Sequence, residues 1–323
     1  MLNINRDIKG WMLSSSRIED TEILEFIKTN YEADWLDPEV QKKLVEVNTE
    51  MEGANIFKSA LQEEGGADVF RFFWGKLTDE SKIIMLSEQF LRFQDADVMG
   101  NLFAMSVLHS VINEDNSIVD MMLQDIDRLQ MHQEVLNVHV ECFFGDSGYD
   151  VPLLSSFIYQ SVHNENYIRA ALKLIDYGVD VNVQNQLIDA EVMAAYGDDD
   201  IEEDASSSDA QQDVPLIAAF KCGRAEIAAK IMTVPGVNMS AKDVHGFTLN
   251  HIAHIMNNDQ LQALCDANAG LILDDRDAIN HRAGELNQEI LQQEFYVGVL
   301  NDWNDFYRRD IAGHNAHDDG VDQ

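Results

Sequence analysis

Apolar residues along this chain recur mainly at helical spacing, and they come in pairs of short runs separated by turn residues. One pair is Pro152-Leu153-Leu154-Ser155-Ser156-Phe157 followed by Ile168, Leu172, Leu174 and Ile175. A second is Val214-Pro215-Leu216-Ile217-Ala218-Ala219-Phe220 followed by Ile227, Ile231 and Met232. A third opens at Leu249 and closes on Leu261 and Leu264. Two upstream openings echo each other, Asn55-Ile56-Phe57-Lys58-Ser59-Ala60-Leu61 and Asn101-Leu102-Phe103-Ala104-Met105-Ser106-Val107-Leu108. Each leads into a second apolar helix, one with Val69, Phe70, Phe72, Phe73 and Trp74, the other with Ile118, Val119, Met121, Met122 and Leu123. Strand-like alternation is scarce, so the pattern predicts an all-α chain.

The residues between the runs say where helices start and stop. Pro215 suits a first helical position, where its missing N–H would be unpaired anyway. Gly223 permits a tight turn into the second helix, and Pro235-Gly236 ends it. Tyr177-Gly178-Val179-Asp180-Val181-Asn182 follows the helix of the first pair. Gly178 can take the left-handed conformation that stops a helix, and Asp180 and Asn182 can bond local backbone beyond it.

These strings resemble the ankyrin repeat, whose pattern is a T-P-L-H-x-A-A opening, a G-H-x-E turn and a G-A-D-V-N-A-x-D ending. Pro215, Leu216, Ala219, Gly223 and Glu226 fall on it, as do Gly246, Thr248, His251 and Ala253. Gly178-Val179-Asp180-Val181-Asn182-Val183-Gln184-Asn185 is the most specific match. Pro215 and Leu249 stand 34 positions apart, close to the period of about 33 residues. The resemblance implies a solenoid of stacked helix pairs, each burying the apolar flank of its neighbour, with helical caps at both ends. The upstream openings lie 46 and 50 positions from the next, so each unit there must carry extra material, supplied by Asp79 to Phe93 and by Arg128 to Phe144.

The organisation expected is an N-terminal helical cap over 1–50, divergent repeats over 51–150, a repeat over 151–185, an acidic disordered insertion over 186–213, and repeats over 214–275. A C-terminal helical cap over 276–310 and a disordered tail over 311–323 complete it. Ser16-Arg17-Ile18-Glu19 fits a helix capping box ahead of Ile23, Phe26 and Ile27. Leu291, Phe295, Val299, Trp303 and Tyr307 form an apolar stripe that covers the last repeat or docks into a partner groove.

Charge alters this picture most. The chain has 22 Lys+Arg against 58 Asp+Glu, a formal net charge of −36. Such a surface repels nucleic-acid phosphates and anionic lipid and favours a protein partner with a basic surface, or serves solubility alone. The acids concentrate in Asp198, Asp199, Asp200, Glu202, Glu203 and Asp204, within a segment, Gln186 to Gln212, that has no Lys or Arg. That insertion reads either as a partner-contact finger or as an inert solvated loop, with Ser206 to Ser208 open to acid-directed phosphorylation.

Catalytic and cofactor motifs are missing. No P-loop, GxGxxG, GxSxG or CxxC occurs, and Cys142, Cys222 and Cys265 are widely spaced, as suits a reducing compartment. Gly145-Asp146-Ser147-Gly148 reads as a turn. His251 and His254 have HxxH spacing, yet the resemblance gives His251 a structural role, so no metal or cofactor is expected. No apolar run of about 18 residues exists to span a membrane. The expectation is a cytoplasmic, non-catalytic binding module whose outward first-helix positions, Ser155, Tyr159, Ala218, Lys221, Ile252 and Met256, meet a partner. Irregular repeats and the Glu-rich stretch Glu285 to Glu294 also resemble secreted effectors of intracellular bacteria. Two other readings remain open at this point: an enzyme with a catalytic N-terminal region, and an acidic mimic of nucleic acid that sequesters basic proteins.

Overall fold

A computed structural model of the chain describes residues 35–45, 56–62, 66–87, 89–90, 100–144, 147–162, 164–187, 213–243 and 246–272. These are predominantly helical, with few strands. In chain order the elements are α1 (Pro38–Val45), α2 (Ile56–Gln62), α3 (Gly66–Trp74), α4 (Asp79–Ser87), β1 (Gln89–Phe90), β2 (Gly100–Asn101), α5 (Leu102–Ile112), α6 (Ser117–Leu129) and α7 (His132–Leu136). They continue with β3 (His139–Phe144), β4 (Ser147–Pro152), α8 (Leu153–Gln160), α9 (Glu165–Asp176), β5 (Gln186–Leu187), α10 (Pro215–Lys221), α11 (Ala225–Met232), α12 (Leu249–Ile255) and α13 (Asp259–Ala267).

Local chemistry explains the helix ends. The Asn101 side chain accepts from the Ala104 N–H and starts α5, and Asn164 and Asn258 do the same for α9 and α13. Thr248 and His251 form a reciprocal cap on α12, in which the His251 Nδ1 accepts from the Thr248 N–H at 3.1 Å. Helix α9 stops at Gly178, whose φ is +87°, with the Gly178 N–H on the Ile175 carbonyl and the Val179 N–H on that of Leu174. The same two-bond stop closes α10 at Gly223 and α12 at Asn257, 34 positions on.

Helices pack as pairs, α2 on α3, α5 on α6, α8 on α9, α10 on α11 and α12 on α13. Neighbouring pairs then touch through like members: α8 on α10 and α10 on α12, α9 on α11 and α11 on α13, α2 on α5 and α3 on α6. Helix α5 also packs on α9. Polar side chains stitch successive loops. Asn137 Oδ1 accepts from the Asp180 N–H at 2.8 Å, and Asn182 Oδ1 accepts from the Asn238 N–H at 2.8 Å while its Nδ2 donates to the Gly236 carbonyl at 3.1 Å. Arg224 reaches back to Ser161, donating to its Oγ and its carbonyl at 3.1 and 2.8 Å.

One hydrophobic core runs from Leu44 to Ile272. Its N-terminal part is aromatic, with Phe57, Phe70 and Trp74 buried in mutual contact and Trp35 meeting Phe72 and the buried Phe73 edge-on. Helix α1 lies against α4, and Gln41 holds it by donating to the Lys76 carbonyl and accepting from the Thr78 N–H, both at 2.8 Å.

The upstream extra material takes two forms. Asp79 to Phe93 supplies α4 and β1, whereas Arg128 to Phe144 supplies α7 and strand β3. Strands β3 and β4 form an antiparallel hairpin in which Val140 faces Val151 and both are buried; β5 adds to its free side. The described residues stay mostly helical, consistent with the all-α expectation, but the hairpin itself was not expected. The run has β-branched and aromatic residues bounded by Gly-Asp, which suits a hairpin, but its apolar content resembles a helix stripe. Phe144 pairs with Ser147, so Ser147-Gly148 belongs to the strand and not to a turn. The proposed capping box at Ser16, the stripe from Leu291 to Tyr307, the Glu-rich stretch and the tail lie outside the described residues.

Candidate functional site

Buried polar groups collect where α8, α10, the chain at Asn185 and the loop from Asp243 to Phe247 meet. Asp213 immediately precedes α10 and is fully buried. Its carboxylate accepts from Lys221 Nζ at 2.9 Å (Oδ1) and lies 2.8 Å from it through Oδ2. Lys221 also stands 3.5 Å from Asp243 Oδ2. The Tyr159 hydroxyl donates to Asp213 Oδ2 at 3.4 Å and accepts from Asn185 Nδ2 at 2.9 Å. The Asn185 N–H donates to the Asp213 carbonyl at 2.8 Å. Asp243 Oδ1 accepts from the Phe247 N–H at 2.8 Å. Burial pushes the Asp213 carboxyl up to about 7, against the pull of Lys221 and with a further push from Asp243.

Two other buried polar groups lie in the N-terminal half. Asp125 of α6 accepts from Trp74 Nε1 at 2.8 Å, Lys82 Nζ at 2.7 Å and Arg128 Nη2 at 2.6 Å, and Arg128 forks onto Asp79 at 2.7 and 2.8 Å. Burial alone would raise Asp125, but these three donors hold it below the ordinary carboxylate range. His109 of α5 is buried, its Nδ1 has no hydrogen bond among the described residues, and desolvation lowers its pKa. Burial pushes the Cys222 thiol up to about 12, which suits a packing group and not a thiolate nucleophile.

The sequence-predicted contact residues fall unevenly. Ser155, Tyr159, Ala218, Lys221 and Ile252 are buried, and Met256 is half-buried. The expectation that they face outward is therefore corrected for the first five. Small or apolar side chains there let neighbouring helices close on one another, and Tyr159 and Lys221 turn into the Asp213 network. Asp198, Asp199, Asp200, Glu202, Glu203 and Asp204 lie outside the described residues. The boundaries of the insertion also move inward. Gln186 and Leu187 pair with Asp150 and Tyr149 as β5, and Asp213 is part of the core. The carboxylates that sequence reasoning missed are Asp213 and Asp243. The available signal was position: one directly precedes the Val-Pro-Leu opening, the other follows the Pro235-Gly236 turn.

The arrangement can hold or release a proton at Asp213. No group of His, Cys, Asp and Glu among the described residues is placed to hold a metal ion. No family model matches the chain, and comparison with curated proteins finds no match.

Proposed function

We propose that this chain is a non-catalytic protein-binding scaffold of the ankyrin-repeat type, and that its partner presents a basic surface. The observation that carries the reading is the repeat of one local design along the chain: a short helix, a two-bond stop at Gly223 or Asn257, a second helix, and a loop tied to the next loop through Asn137 or Asn182. From α8 to α13 the helix pairs contact the next through like members, which supports a row of loop tips on one side there. Asp180, Gln184, Asn238 and Ser240 are exposed on those loops. With first-helix positions buried, the loop tips and the acidic insertion are the natural contact surface. The net charge of −36 selects for a basic partner. No helix among the described residues is long and apolar enough to cross a membrane, which suits a partner met in solution.

Affinity capture from a cell lysate on the immobilised full chain tests this, run beside a variant with Asp198, Asp199, Asp200, Glu202, Glu203 and Asp204 changed to Asn or Gln. The expected result is a defined partner retained by the native chain and weakened in the variant. Indiscriminate retention of basic proteins that salt abolishes would favour the nucleic-acid mimic instead. A chemical change in a captured small molecule would favour an enzyme.

A further inference from the structure

We propose that His109 is an acid-sensitive lock on the junction between α5 and α6, seating it while the ring is neutral and loosening it once the ring is charged. The junction, residues 113–116, is held from two sides. Arg71 of α3, in the helix pair before it, stands 3.4 Å from Asp115 Oδ2 and donates to Ser117 Oγ. Lys173 of α9, in the pair after it, donates to Ser110 Oγ at 2.9 Å and to Asn116 Oδ1. His109 closes the helix that feeds the junction. Its carbonyl accepts from the Asn113 N–H at 2.9 Å and from Asn113 Nδ2 at 3.2 Å. Its residue is only 5 % exposed, and its Nδ1 is buried with no hydrogen-bond partner.

An imidazolium carries an N–H on both ring nitrogens, so charging His109 forces a donor onto Nδ1 with nothing to receive it, and puts a full charge out of water. The surroundings do not offset this. Arg71 opposes a further cation, whereas Asp115 pulls the other way. The Asp115 carboxylate is already taken up by Arg71, by the Ser117 N–H at 2.9 Å and by the Ser117 hydroxyl at 3.0 Å. Among the elements packed on α5, α9 brings Lys173, with Asp120 of α6 beside it, and α2 brings the buried Lys58. Lys82 of α4 and Asp125 of α6 pair with each other at 2.7 Å. Desolvation, opposed by Asp115 and aided by Arg71, accordingly holds the ring below the ordinary histidine value of 6.5. Between the folded value and 6.5 the unfolded chain binds more protons than the folded chain. Stability from this group is therefore fully present above 6.5 and is lost as pH falls toward the folded value. Asp213, pushed up to about 7, acts in the opposite sense, so only a comparison with a variant isolates His109. The inference does not depend on the repeat reading.

The test is equilibrium urea unfolding of the full chain and of His109→Gln from about pH 8 to about pH 5, with hydrogen exchange of the Asn113 amide measured on both. The ratio of the folding constants, native chain over variant, is expected to be flat above the ordinary histidine range and to fall by up to about tenfold per pH unit below it. The protection factor of the Asn113 amide is expected to drop with acid in the native chain and to hold in the variant. The ring nitrogens of His109, followed by NMR in the native chain, keep the test valid should His109→Gln not fold. They are expected to report a mostly neutral ring at the ordinary histidine midpoint. Parallel stability profiles for the two chains, an Asn113 protection factor indifferent to acid, or a ring that charges at or above the ordinary value would overturn the proposal.

Discussion

At the scale of single residues, Asp125 shows how a buried charge is kept. Trp74, Lys82 and Arg128 occupy its oxygens, and Lys82 also lies over the Trp74 ring at 5.7 Å from its centre. Truncation to alanine leaves an ammonium and an indole N–H buried without their acceptor. Asp125→Ala is expected to cost about 3 kcal/mol, measured by urea unfolding near neutral pH. The pH sign follows from its lowered pKa: the stabilisation is present above the ordinary carboxylate range and is lost as pH falls through the depressed value. The stability gap between the native chain and Asp125→Ala should therefore begin to narrow only as pH falls below about 4 and shrink further as it passes the depressed value. Asp213 responds in the reverse sense, although both are buried aspartates beside a lysine. Desolvation is the larger cause, because Asp213 is fully buried, and Asp243 adds to the push, whereas Asp125 is held down by its three donors.

At the scale of elements, the ends decide as much as the faces. Helix α5 is buried on nearly every side, so amphipathic pattern alone could not have set its boundaries. Asn101 sets its start, with Oδ1 on the Ala104 N–H at 2.9 Å and Nδ2 on the Val135 carbonyl at 2.7 Å. Asn101→Ala removes the cap and leaves two buried backbone groups unpaired. The expected loss is about 2 kcal/mol, with hydrogen exchange at Phe103 and Ala104 accelerating first. Between α2 and α3 the constraint is space. A Cβ on Gly66 would stand 2.0 Å from the Ala60 carbonyl oxygen, so the two helices turn at their present distance only with glycine there. Signals of this kind are visible in a sequence as single letters, but their meaning depends on which backbone groups come near.

At the scale of the molecule, the acidic insertion joins the rest at a closed base. The Asn185 N–H bonds to the Asp213 carbonyl, and β5 pairs with β4 just before the chain leaves the described residues. Loop closure is thus already made by the scaffold, and its entropy changes slowly with loop length. Replacing residues 188–212 with a short Gly-Ser linker is expected to alter stability by less than about 1 kcal/mol in urea unfolding. A larger loss would show that the insertion contributes packing to the fold.

The chain by itself determined the helix pairs, because a period near 3.6 and the punctuation by Pro215, Gly178 and Gly223 are local properties that survive without neighbours. It also determined the surplus of acid. Three things were decided only when separate segments came together. The β3–β4 hairpin needed pairing across Gly145-Asp146, which an apolar run does not reveal. Burial of Ser155, Tyr159, Ala218, Lys221 and Ile252 depended on how closely α8, α10 and α12 approach. The ion pairs of Lys221 with Asp213 and Asp243, 30 positions apart, formed through the packing of elements that lie between and beside them. Periodicity records which side of a helix avoids water; only contact geometry settles what that side meets.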